Sequence, residues 1–134
     1  MVRRKRRAVR HDLPTAAFLD VLGSVEEAKA ALVAVVPSPR GAGPPVAEGV
    51  HGFEVGLRHA LDAMPGWRHP ELEAEWTACE QAIGEALRRT EGFRLRAPEL
   101  GYESLLAEIG ELIDPLEPFE HAAERLRALG SRLR

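Results

Sequence analysis

The stretch VHGFEVGLRHALDAMPGWRHPELEAEWTACEQAIGEALRRT, Val50–Thr90, decides the fold. It reads as two amphipathic helices joined by Met64-Pro65-Gly66-Trp67-Arg68-His69-Pro70. In the first half, Val50, Phe53, Leu57, Leu61 and Met64 recur at helical spacing and make an apolar stripe. Pro65-Gly66 breaks that helix, and Pro70 sits in the first turn of the next, where its missing N–H costs nothing. In the second half, Leu72, Trp76, Cys79, Ile83, Ala86 and Leu87 form a heptad-like seam. At about two heptads it suits an intramolecular bundle better than a coiled coil. Glu71, Glu73 and Glu75 at its start and Arg88 and Arg89 at its end match the helix dipole.

Two edges flank the first helix. One carries Gly52, Gly56, Ala60 and Ala63, small residues at four- and three-residue spacing. Each glycine costs about 1 kcal/mol against alanine inside a helix. The strip therefore predicts a close helix crossing or a dimer surface. The other edge, His51, Glu54, Arg58 and Asp62, predicts a solvated ladder of pairs four residues apart.

Outward from the hairpin, Pro14-Thr15 opens an N-terminal segment with Phe18, Leu19 and Leu22 apolar. Gly23-Ser24 interrupts it. Ser24-Val25-Glu26-Glu27 then fits a capping box that starts a second short segment running to about Val36. Residues 37–45 hold four prolines and two glycines and read as a crossing linker. Gly41-Ala42-Gly43 within it lacks the strand, the Gly-Lys-Ser/Thr and the helix of a phosphate cradle. Beyond Thr90, Gly92 reads as a helix stop. A helix follows from about Pro98 to Asp114 with a wide apolar face: Tyr102, Leu105, Leu106, Ile109, Leu112 and Ile113. Pro115 and Pro118 bracket a connection to a last helix with Leu116, Phe119, Ala123, Leu126 and Leu129 inward and Gly130 at its end.

The fold predicted is an all-α bundle of four main helices plus short N-terminal helical segments. Helices joined by short turns should be antiparallel neighbours. The domain plan is a basic flexible arm at 1–11 and a single bundle at 12–134. At 134 residues with 45% hydrophobic content, the chain can bury a core without staples. One cysteine excludes an internal disulfide and a thiolate zinc site, and it points to a reducing compartment. No apolar run is long enough for a transmembrane helix, and no apolar h-region follows the basic start, so a cytoplasmic protein with no membrane partner is expected. The 16 arginines against two lysines suggest a bacterial genome by association only.

Charge is segregated. Arg3, Arg4, Lys5, Arg6, Arg7 and Arg10 fall in the first ten residues with no acid, leaving 12 basic against 21 acidic groups elsewhere. Such an arm is a candidate nucleic-acid contact, although it lacks aromatic platforms. Arg88, Arg89, Arg94 and Arg96 are a second candidate anion site, since guanidinium forks match phosphate and carboxylate.

Chemistry is otherwise sparse. His51-x-x-Glu54 and His121-x-x-Glu124 reverse the bundle-metal pattern and fall on outward faces, so no metal or cofactor is expected. Cys79 lies mid-stripe and reads as a small buried hydrophobe. His69 stands at an N-cap position. Three function classes remain. The leading one is a non-enzymatic interaction or adaptor protein, with self-association as a homodimer among its forms. The second is a nucleic-acid-associated protein using the arm. The third is a ligand-binding bundle or enzyme, with the 102–113 face lining a pocket between helices.

Overall fold

The computed structural model describes residues 13–37 and 43–133, with side chains to Gly130. The arm residues and linker residues 38–42 lie outside the described residues. The architecture is an all-α bundle. Its helices are α1 (Thr15–Val33), α2 (Val46–Ala63), α3 (Glu73–Arg96), α4 (Tyr102–Ile113) and α5 (Pro118–Leu133). Short 3₁₀ turns at Met64–Trp67, Pro70–Leu72, Ala97–Glu99 and Asp114–Leu116 join them.

The N-terminal segments are one helix. Gly23-Ser24 does not interrupt α1, and Ser24 is not a cap: its hydroxyl donates to the Asp20 carbonyl at 3.4 Å, four residues back. Burial overrides the local break signal. Phe18, Val21, Val25, Ala28 and Leu32 are buried at 3-4-3-4 spacing through it, and packing of such a face, more than propensity, holds protein helices together.

α1 and α2 are antiparallel neighbours in close contact. A Cβ on Gly56 would stand 2.7 Å from the Ala28 Cβ and 3.0 Å from the Ser24 carbonyl oxygen. One on Gly52 would stand 2.8 Å from the Ala31 Cβ, and one on Gly49 would run into Val35. The small-residue strip is thus covered by the chain's own α1. Ala60 is fully buried at its far end, and Ala63 is half-buried.

α3 is longer than its sequence signals indicate. It passes through Gly92 and ends at Arg96. The reason is continuation of the seam: Cys79, Ile83, Ala86, Thr90, Phe93 and Ala97 are all buried at alternating four- and three-residue spacing. Thr90 fits there because its hydroxyl donates to the Ala86 carbonyl at 2.7 Å.

The last two helices are not an antiparallel pair. α4 lies against the C-terminal half of α3, where Arg96 meets Glu108 and the Arg89 guanidinium donates to the Glu111 carbonyl. Asp114, Pro115 and Pro118 then share a shallow surface groove with Ala78, Gln81, Ala82 and Glu85 of α3. From there α5 runs on along α3 to reach the Pro70–Leu72 turn, and α4 and α5 make little contact with each other. The four legs of the bundle are therefore α1, α2, α3 and the α4–α5 pair laid end to end. Leu133 closes α5, so Gly130 lies inside the helix.

The close α1–α2 crossing makes two glycines respond in opposite senses. Gly23→Ala, where a Cβ meets nothing within 4 Å, should raise unfolding free energy by about 0.5–1 kcal/mol. Gly56→Ala should lower it by about 1 kcal/mol despite the same gain in helix propensity, because overpacking costs about 1–3 kcal/mol. Urea denaturation of both variants reads the sign directly.

Candidate functional site

The hairpin turn is built from aromatic and polar contacts, and no buried side-chain nitrogen or oxygen among the described residues lacks a partner. Trp67 is wholly buried, and its Nε1 donates to the Met64 sulfur at 3.2 Å. The Trp76 Nε1 donates to the Met64 carbonyl at 2.8 Å. Arg68 lies over the Trp76 ring at 4.2 Å and forks onto Glu73 at 2.6 and 3.2 Å. Hydrogen bonding to Arg68 holds the Glu73 carboxyl below the usual range. The His69 Nδ1 accepts from the Glu71 backbone N–H at 3.0 Å, an N-cap on the Pro70–Leu72 turn.

The four arginines of residues 88–96 do not converge on one point. Arg88 and Arg89 both hold Glu85, Arg89 at 3.0 Å. Arg96 is bidentate on Glu108, at 2.6 and 3.1 Å. Arg94 faces the opposite flank and pairs with Glu54 of α2. Arg88, Arg89 and Arg96 do share an open groove of about 580 Å³ with Gly92, Glu108, Glu111 and Leu112. Every one of these guanidinium groups has a carboxylate of its own chain beside it. Arg94 and Arg96 clasp α2 and α4 to α3, a task that the sequence reading, looking along one helix at a time, missed.

Glu54 shows the same limit. Spacing paired it with Arg58, but that contact is 4.0 Å, and the closer partner is Arg94 from α3. The expected ladder is thus partly an interhelical clasp. No signal in the sequence relates residues 54 and 94.

His121 lies 3.6 Å from Glu117 on the exposed face of α5, and His51 is exposed on α2. Among the described residues, no group of three His, Cys, Asp or Glu side chains is placed to hold a metal ion. Cys79 is buried under the seam, and burial, with the Glu75 carboxylate adding to it, pushes its thiol up to about 12.

The wide apolar face of residues 102–113 is used in part, with Ile113 half-buried against the core. Leu105, Ile109 and Leu112 enter the core, while Tyr102 is 55% and Leu106 41% exposed. α4 is only 12 residues long, and its contacts with α3 and α1 cover the centre of that face and leave this flank bare. Leu95 at the end of α3 is 82% exposed and Val33 at the end of α1 is 50% exposed. The antiparallel order places all four toward one end of the bundle. There the C-termini of α1 and α3 meet the N-termini of α2 and α4. Among the described residues, Leu19 and Val55 are the other large exposed hydrophobic side chains; Leu19 lies near the opposite end, at the start of α1, and Val55 lies midway along α2. Of the apolar residues Phe18, Leu19 and Leu22, Phe18 and Leu22 take the inward positions of that turn and Leu19 points out.

No described helix is long and apolar enough to cross a membrane. Neither a family model, nor a curated protein, nor a solved structure matches this chain.

Two measurements check this surface chemistry. Cys79 should stay unlabelled by a thiol reagent in the native protein and react at the rate of unfolding; fast labelling under native conditions would contradict its burial. Hydrogen bonds from Arg88 and then Arg89 hold the Glu85 carboxyl below the usual range of about 4.3. Because the folded value is the lower one, the stabilisation is present at neutral pH and fades as pH falls through that folded value. In an NMR titration, Glu85 should therefore protonate at lower pH than an exposed glutamate. The double variant Arg88→Gln/Arg89→Gln should raise its midpoint.

Proposed function

We propose that the protein is a non-enzymatic helical interaction protein. The contact surface is the end of the bundle that exposes Val33, Leu95, Tyr102 and Leu106, and a second copy of the chain is its first partner. The observation that carries this reading is the exposure of Tyr102 and Leu106, one turn apart on α4, with Leu95 and Val33 also exposed at the C-terminal ends of α3 and α1. Single exposed hydrophobics are ordinary on a protein surface, whereas grouped ones mark contact sites. The packing of α1 against Gly52 and Gly56 argues for the end surface over the glycine strip. The lone cysteine supports a reducing, cytoplasmic setting.

A second reading is nucleic-acid association through Arg3, Arg4, Lys5, Arg6, Arg7 and Arg10. Charge segregation favours it: these six cations fall within ten residues, against a net of −9 over the rest of the chain. The arginines at 88–96 add little, since Glu54, Glu85 and Glu108 already neutralise them. The ligand-binding alternative asks for a polar-lined interior. The described interior is apolar apart from Thr90, which is satisfied by Ala86.

The test of the leading reading combines mass and position. By light scattering, the wild-type mass should rise with concentration from 14.7 kDa toward twice that value. Leu95→Asp/Leu106→Asp should stay monomeric with unchanged helical circular dichroism. A photo-crosslinking residue at 95 or 106 should join two copies, and one at 19, at the opposite end of α1, should not. A wild-type chain that stays monomeric and gives no crosslink from 95 or 106 would sink the proposal. For the second reading, binding to a DNA duplex should weaken steeply with added salt and vanish when residues 1–10 are deleted. Absence of binding at low salt would remove it.

A further inference from the structure

We draw no further inference here: the strongest candidate, the open groove between α3 and α4 lined by Arg88, Arg89, Arg96, Glu108 and Glu111, carries nothing, because Glu85, Glu108 and Glu111 balance its guanidinium charges and no buried unpartnered side-chain polar atom among the described residues points into it.

Discussion

Trp67 is the plug on which the bundle closes. It sits in the turn between α2 and α3, yet none of it reaches solvent. Its ring meets Phe18 of α1 edge to face at 4.8 Å, and Phe18 stacks at 6.5 Å on Phe119 at the start of α5. Three legs of the bundle therefore converge on one aromatic cluster. A buried indole needs a partner for its N–H, and the Met64 sulfur supplies it. The Met64 carbonyl meanwhile holds Trp76 of α3. One short turn thus sets both the angle of the hairpin and the floor on which α1 and α5 rest.

Above that floor, two kinds of contact hold the helices. α1 and α2 approach closely at Gly52 and Gly56, and Gly49 abuts Val35 just beyond α1. α3 is instead clasped by charge, with Arg94 reaching α2 and Arg96 reaching α4. Ion pairs open to solvent on the arginine side, as these are, contribute little to stability, about 0–1 kcal/mol each. Their consequence is that the arginines are occupied. Val33, Leu95, Tyr102 and Leu106 are exposed toward the same end, and the functional proposal rests on them instead of on the more conspicuous cations.

Several of these contacts were legible in the residues alone. The stripe at Val50, Phe53 and Leu57, the Pro65-Gly66 break and the seam through Trp76, Cys79 and Ile83 follow from helical periodicity, and the helices stand where that periodicity puts them. The burial of Cys79 and the cap at His69 were readable for the same reason, since each depends on neighbours within a turn or two. The outward positions of His51 and His121 also followed from the wheel.

What the sequence determined by itself is the all-α class and the inward stripes, because a 3.6-residue period is a local property of the chain. What only the tertiary structure decided is which local signals were obeyed. Gly23-Ser24 and Gly92 look like breaks, but α1 and α3 run through them because buried side chains on both sides gain more from packing than a glycine costs. The wide face of α4 looked like core, yet Tyr102 and Leu106 stay exposed on a flank that α1 and α3 do not reach. The partners of Glu54, of the 88–96 arginines and of the glycine strip depend on how separate helices are juxtaposed, and no spacing within one helix encodes that.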